Sequence, residues 1–289
     1  MKKILITGYT GMLGWDLYKT LKRKYDVYLI SSKKKINKKA IKFNLKNKDF
    51  GPIKYQIYPD AIIHCAAETN VDKCEIEKKN CKKINFDSVK KLIQLFPKSK
   101  FIFISSDSVY NGAKSHLERK VDKPKNYYGV LKLKAENYIR KFSKNYFILR
   151  TTPVGLPGVN KKKTFVSWII ESVKKKKTLN LFSDVFFSPI STSYLSKEIK
   201  FIIKNNLQGT YNISSKDKIS KFHFGEKLCK KLNLNTQLVK SIKSSNIKLI
   251  AKRNKFQVLN CNLYQKKFTR SLPSVSLTIN DISNNYSRT

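Results

Sequence analysis

Met1-Lys-Lys-Ile-Leu-Ile-Thr-Gly8-Tyr-Thr-Gly11-Met-Leu-Gly14 decides the fold. Ile4-Leu5-Ile6 is a short apolar run that leads straight into three glycines spaced at three. Leu13, Leu17 and Leu21 then recur at helical intervals. The pattern predicts strand, tight turn, helix. Such a turn aims backbone N–H groups and the positive end of a helix dipole at one point in space. An anion belongs there, most often a dinucleotide pyrophosphate. In that role Gly8 allows the turn, Gly11 lets backbone approach phosphate, and Gly14 lets the helix pack on the strand. A glycine-rich turn that binds nothing is the competing reading, and the rest of the chain decides between them.

The 289 residues suit one large domain, or two that share a sheet, with a core that needs no staples. Cys65, Cys74, Cys81, Cys229 and Cys261 form no Cys-x-x-Cys pair and no zinc spacing with the three histidines. An odd, scattered set predicts reduced thiols and a cytoplasmic location. The start imitates a signal peptide, but its apolar run is short and Gly8 interrupts it. No stretch approaches the length of a transmembrane helix, so no membrane insertion is expected. The formal charge is +42, from 61 Lys+Arg against 19 Asp+Glu. Charge alone would allow a nucleic-acid or anionic-membrane binder. The lysines are spread along the whole chain, however, and Lys, Asn, Ile, Phe and Tyr are abundant together, a composition that follows from A/T-rich codons. No specific nucleic-acid partner is expected.

Val27-Tyr-Leu-Ile30 reads as the second strand. An acidic residue at its end would mark NAD. The chain has Ser31-Ser32-Lys33-Lys34-Lys35 instead. Hydroxyls and ammonium groups suit a 2′-phosphate, so NADPH is expected, with NADH the alternative. Asp60-Ala-Ile-Ile-His64 is the next clear strand, running into the small residues Cys65-Ala66-Ala67. His64 reads as a packed strand residue. A continuous helix is expected from about Asp72 to Phe96; Asn85 lies inside it, where an asparagine is usually solvated, the alternative being that it reaches back into a site.

Phe101-Ile-Phe-Ile104 predicts a buried strand ending in Ser105-Ser106-Asp107. Tyr128-x-x-x-Lys132 follows, and positions four apart share a helix face. An ammonium near a phenol lowers a pKa that starts near about 10. A phenol so tuned passes a proton to a carbonyl oxygen near neutral pH. A strand-end serine hydroxyl would complete the polarisation of that oxygen. Beyond residue 151 helices are expected at Phe165 to Val173, Thr192 to Ile203, Lys221 to Leu232 and from near Thr278, with Gly209 to Ile213 a strand that rejoins the main fold.

Thr7-Gly8-x-x-Gly11-x-x-Gly14, the strand-end serines and Tyr128-x-x-x-Lys132 together resemble the extended short-chain dehydrogenase/reductases that act on nucleotide sugars. Within them the chain is most similar to the dTDP-4-dehydrorhamnose reductase family. Ala66-Ala67-x-Thr69-x-Val71-Asp72-Lys73-x-Glu75, Ser105-Ser106-Asp107-x-Val109-Tyr110 and Tyr127-Tyr128-Gly129-x-x-Lys132-x-x-x-Glu136 carry the likeness, with Ile148 to Thr151, Ser188-Pro189 and Arg253 to Leu263. The resemblance covers essentially the whole chain. It implies an α/β fold: a Rossmann-type, doubly wound parallel sheet over residues 1–150. A smaller substrate-binding part would span 151–289, with about 190–215 returning to the main fold.

The resemblance also implies hydride transfer from a nicotinamide to C4 of a nucleotide-linked 4-keto-6-deoxy sugar, in surface-polysaccharide sugar biosynthesis, with a homodimer possible. Tyr128 would be the proton donor, Lys132 would hold the nicotinamide ribose and tune Tyr128, and Ser106 would bond the keto oxygen. Gly8, Thr10, Gly11, Met12, Leu13 and Gly14 would hold the pyrophosphate, and Ser31, Ser32 and Lys33 the ribose phosphate. Asn44 and Leu45 would lie by the adenine, and Ala66, Ala67 and Thr69 along the cofactor. Val71, Ser106, Asp107, Val185 and Phe187 would meet the substrate. The chain departs from the family at Thr152-Pro153 and at Asp184-Val185-Phe186-Phe187, where an amide and a glycine are usual. The sugar is therefore left open. No metal is expected: Asp16 matches one of the acidic positions through which some members bind one, and the others do not match. Two further readings are a nucleotide-sugar 4-epimerase or dehydratase, and a non-catalytic regulatory relative. The missing acid after Ile30 speaks against the first, and the intact Ser106, Tyr128 and Lys132 against the second.

Overall fold

The computed structural model describes residues 1–289 except 33–35, 113, 119–120, 122 and 289. Its strands are β1 (Lys3–Thr7), β2 (Asp26–Ser31), β3 (Ala40–Lys42), β4 (Ala61–His64), β5 (Lys100–Ile104), β6 (Tyr146–Arg150), β7 (Pro153–Val154), β8 (Leu179–Phe182), β9 (Phe186–Phe187), β10 (Ile190–Ser191), β11 (Gly209–Asn212), β12 (Ile219–Ser220), β13 (Val239–Ile242) and β14 (Phe256–Gln257). Its helices are α1 (Met12–Leu21), α2 (Gly51–Lys54), α3 (Val71–Ile76), α4 (Lys78–Lys82), α5 (Ser88–Leu95), α6 (Tyr127–Phe142), α7 (Phe165–Lys174), α8 (Thr192–Lys204), α9 (Lys221–Lys231), α10 (Asn262–Phe268) and α11 (Val275–Tyr286).

Seven strands form one sheet in the order β3-β2-β1-β4-β5-β6-β11. Every pairing in it is parallel. The strand residues explain why. Side chains alternate between faces, and here both faces are apolar. Ile4, Ile6, Ile63, Ile102, Ile104, Phe147 and Leu149 join one core. Leu5, Ile62, Phe101, Phe103 and Ile148 join the other. A strand apolar on both sides must be covered on both sides, which is the doubly wound arrangement. Leu13, Leu17 and Leu21 of α1 and Leu195, Ile199 and Ile202 of α8 cover the first face. Val89, Leu92 and Ile93 of α5 and Leu131, Ala135 and Ile139 of α6 cover the second. Strand order reverses between β1 and β4, and the crevice beyond their carboxyl ends is where such sheets bind ligands.

A third core is built wholly from residues after 153, among them Val166, Ile169, Phe187, Phe224 and Ile279. The return to the main sheet is wider than 190–215: Leu259, Cys261, Tyr264 and Leu272 also lie in its first core. The strand Gly209–Asn212 pairs with β6 and closes that edge.

The expected helix from Asp72 to Phe96 is broken twice. At Glu77 the backbone takes φ −100° and ψ 50°, which separates α3 from α4. A π-helical turn, Lys83–Asp87, then precedes α5. The last helix begins at Val275, where the Ser274 hydroxyl accepts from Leu277 N–H, one turn before Thr278. The short strand β3 in the weakly patterned region after Lys35 is held by β2 alone.

Candidate active site

The three glycines divide the labour as their spacing implies. Gly8 has φ +69°, and a Cβ there would lie 2.7 Å from Ala66 Cα, so side chains are excluded twice over. A Cβ on Gly14 would fall 2.4 Å from the Gly8 carbonyl oxygen. At Gly11 a Cβ would meet nothing nearer than that same oxygen at 3.4 Å. Gly11 thus faces open space at the head of α1. No side chain caps that helix and no acid lies in its first turn. An uncapped helix N-terminus beside an open glycine is a cradle for an anion, so the residues present fit a dinucleotide pyrophosphate.

Around this turn the expected cofactor residues separate by orientation. Thr10 and Ser31 are buried, and their hydroxyls are 3.4 Å apart, which links the turn to the end of β2. Ser32 is exposed, and Lys33 lies outside the described residues. Met12 is partly exposed, whereas the Leu13 and Leu45 side chains belong to the two cores, leaving only their backbone to a ligand. Asn44 is exposed and its Oδ1 accepts from Lys46 N–H at 3.0 Å. Asn160 N–H donates to the Thr10 carbonyl at 3.1 Å, so a segment following β7 crosses the turn.

Asn85 holds the loop after β4. Its Oδ1 accepts from Glu68 N–H at 2.8 Å and its Nδ2 donates to the Glu68 carbonyl at 3.0 Å. The π-helical turn aims this buried amide back at the loop, a frequent use of such turns at functional sites. Ala66 and Ala67 are partly exposed on that loop, Thr69 is exposed, and Val71 opens α3. His64 is the packed residue expected: its Nδ1 lies 2.9 Å from Thr7 Oγ1, and burial foremost lowers its pKa to about 3.

Ser106, Tyr128 and Lys132 come together at the end of β5. Asn126 caps α6 by accepting from Gly129 N–H at 2.9 Å, and Glu75 accepts from Tyr127 N–H at 2.6 Å. Gly129 lets the helix pass the Asp107–Val109 turn, because a Cβ would lie 2.1 Å from the Ser108 carbonyl. Ser106 Oγ donates to Asp107 Oδ1 at 2.7 Å and accepts from Ser108 N–H at 3.1 Å, beside the Tyr128 phenol. Lys132 Nζ donates to the Ile104 carbonyl at 2.8 Å and lies 5.8 Å from the Tyr128 ring centroid.

The electrostatics correct one expectation. Tyr128 is pushed up, not down: burial comes first, then the Asp107 carboxylate, against a smaller lowering by Ser106. Lys132 is lowered to about 8, chiefly by burial. Its ammonium bonds a strand-end carbonyl, and burial of the phenol itself sets the direction of the Tyr128 shift. Asp107 is raised, by burial before anything else. The trio is therefore a protonated phenol, ready to donate, with a lysine poised to change charge near pH 8.

On the substrate side the structure separates the expected pair. Val185 is buried and its carbonyl accepts from Lys221 N–H at 3.0 Å. Phe187 is completely buried, packed edge-on against Phe165 and Phe224. It belongs to the third core, and only its ring face, under Lys221, is turned toward a cation. Asp184 anchors Ser244 and Lys255 instead of pointing to a ligand. Asp16 pairs with Lys19 and accepts from Thr192. Among the described residues no group of three or more His, Cys, Asp and Glu is placed to hold a metal ion.

A family model described as the RmlD substrate binding domain matches residues 1–288. The chain belongs to that family. Among its relatives, the spore coat polysaccharide biosynthesis protein SpsK of Bacillus subtilis is 31% identical over 245 residues, 83% of this chain and 82% of that protein. A dTDP-4-dehydrorhamnose reductase of Aggregatibacter actinomycetemcomitans is 26% identical over 287 residues, 93% and 94% of the two chains. The crystal structure of a dTDP-4-dehydrorhamnose reductase from Bacillus anthracis in complex with NADP superposes with a TM-score of 0.87 at 26% identity, over all of both chains.

Within this RmlD-type site the glycine turn makes a two-sided prediction. Gly11→Ala keeps the fold and weakens NADPH binding by about tenfold or more, because the methyl enters the space a phosphate needs. Gly14→Ala instead lowers the thermal midpoint, because its methyl collides with backbone. Cofactor titration and thermal melting of both variants check this. Equal loss of stability in the two would remove the distinction.

Proposed function

We propose that the chain is an NADPH-dependent reductase of the C4 ketone of a nucleotide-linked 4-keto-6-deoxy sugar. The observation that carries this is the grouping of the Tyr128 phenol with Ser106 and Lys132 at the end of β5, beside the switch-point crevice at the carboxyl ends of β1 and β4. Bound NADPH supplies the hydride. The α1 N-terminus and the Gly8–Gly14 turn bind its pyrophosphate, and Thr10, Ser31 and Ser32 serve the ribose end, where no carboxylate disfavours a 2′-phosphate. Ala66 and Ala67 leave room for the cofactor beside β4, with Asn85 fixing their loop. Tyr128 gives its proton to the ketone oxygen as the carbonyl carbon gains the hydride, so the product is an alcohol. Ser106 orients the same oxygen. Lys132, fixed on Ile104, offers its charge as the phenol loses its proton. Residues 1–150 form the cofactor part and most later residues the substrate part.

The location is the cytoplasm, where such nucleotide sugars are made. Among the described residues no helix is long and apolar enough to cross a membrane.

The test mixes protein, NADPH and a dTDP-4-keto-6-deoxy sugar and follows loss of the reduced nicotinamide absorbance. Turnover faster with NADPH than with NADH is expected. Tight NADPH binding with no turnover of any nucleotide keto sugar would sink the proposal.

A further inference from the structure

Lys221 is absorbed by neither the glycine turn nor the Ser106–Tyr128–Lys132 group. It opens α9, whose start is fixed by Ser220 Oγ accepting from His223 N–H at 3.1 Å. Its own N–H is bound to Val185. The side chain is therefore directed by two anchored backbones. Its Nζ lies 3.3 Å from the Phe187 ring centroid and 5.0 Å from that of Phe165. Those rings are fixed in turn, Phe187 being wholly buried against Phe165 and Phe224. An ammonium carries three N–H donors, and aromatic faces attract its charge without accepting those hydrogens in full. Among the described residues Lys221 Nζ has no hydrogen-bond acceptor and no ion-pair partner. Asp107, the acceptor of the Ser106 hydroxyl, is the acid whose charge it feels, and it acts back on Asp107. The ammonium thus sits between the substrate-side core and the reacting end of β5, held from behind by rings and short of oxygen ligands in front. Burial lowers its pKa to about 8, the direction expected of a cation whose lost hydration has not been replaced by oxygen.

Resting on the reductase reading, we propose that Lys221 is a substrate-binding residue whose ammonium takes an oxyanion of the nucleotide-linked sugar, namely the diphosphate joining sugar to nucleoside. That group is the oxyanion this substrate class carries, and lysine binds phosphate oxygens as a compact point charge. The two phenylalanines act as the support that keeps the cation aimed. This also gives the departure at Val185 and Phe187 a purpose. The loop that lacks the family's amide and glycine supplies an aromatic face and a carbonyl anchor for a lysine instead.

The experiment compares wild type with Lys221→Met and Lys221→Arg, all loaded with NADPH. Calorimetric titration with a nucleoside diphosphate that carries no sugar reads the contact without requiring turnover. Steady-state assays with the nucleotide keto sugar read it during reaction. Lys221→Met should weaken nucleoside diphosphate binding and raise KM by about 10–100-fold, the range for a hydrogen bond to a charged group. NADPH affinity should stay within about twofold, since the cofactor has its own cradle, and Lys221→Arg should recover most of the loss. Unchanged nucleoside diphosphate binding in Lys221→Met overturns the assignment, whether KM is unchanged too, meaning a packing role, or KM alone rises, meaning a sugar contact. Failure of the wild type to turn over a nucleotide keto sugar would instead count against the reductase reading, because the binding titration is read independently.

Discussion

Tyr128→Phe abolishes measurable turnover and leaves NADPH affinity almost unchanged. The phenyl ring stays in place against the second core, so the site keeps its shape. Only the hydroxyl beside Ser106 is lost. A positioned proton donor is worth on the order of 10²–10⁴-fold in rate. The upper part of that range is expected here, because Tyr128 is the phenol set beside Ser106. The pH profile supplies a second reading. Tyr128 is raised above its ordinary value, so the phenol remains protonated through the neutral range. Lys132 is lowered from its ordinary 10.5 to about 8, so its ammonium is present below that pH and lost above it. The wild-type rate constant should accordingly be flat through neutral pH and fall as pH rises through about 8. Lys221 titrates in the same window, so the falling limb is assigned by variants: it should survive in kcat of Lys221→Met and vanish from that of Lys132→Met. Strongly weakened NADPH binding in Tyr128→Phe would mean that the tyrosine is chiefly structural.

How far these roles could be read from the sequence depends on what kind of interaction sets them. Gly8 and Gly14 were legible because backbone contacts leave no choice of residue there, whereas at Gly11 the fold itself has room for a methyl and the glycine was legible only from its spacing in the motif. Tyr128 and Lys132 were legible because helical spacing puts them on one face. Their electrostatics were not. The direction of the Tyr128 shift depends on burial and on Asp107, neither of which spacing reveals. For Asn85 a solvated position and a reach back into a site both stood open, because the π-helical turn that aims it replaces an apparently continuous helix, and apolar periodicity barely changes across one extra residue. The strands β9, β12 and β14 have two residues each, too few to show any period. Lys221 was one basic residue among 61, indistinguishable until the fold stacked it on Phe187.

Glu136→Leu should cost about 3–5 kcal/mol of unfolding free energy, the range for removing one partner of a buried ion pair. Glu136 is fully buried on α6, two turns beyond Tyr128. Its Oε1 accepts from Ser105 Oγ at 2.5 Å and Arg150 Nε at 3.0 Å, and its Oε2 from Arg150 Nη2 at 2.6 Å and Arg140 Nη1 at 3.2 Å. Arg150 is 2% exposed and also donates to Tyr110 Oη and the Glu118 carbonyl. Burial is the largest single influence and works against its charge, but the bonds and charge of Glu136 with those of Tyr110 together outweigh it and keep the guanidinium protonated. Removing the carboxylate therefore strands a cation that cannot lose its proton, and burying an unpaired charge is far more costly than losing one exposed contact. The pair also joins the helix that carries Tyr128 to the strand end that carries Ser105 and Ser106, so kcat should fall in the same variant while NADPH affinity changes little. Chemical denaturation separates these effects from a general packing defect. In Glu136→Leu/Arg150→Met both charges are gone, and stability should return to within about 1–2 kcal/mol of wild type. If the double variant is no more stable than the single one, the loss comes from packing around Glu136, and the stranded charge is not its cause.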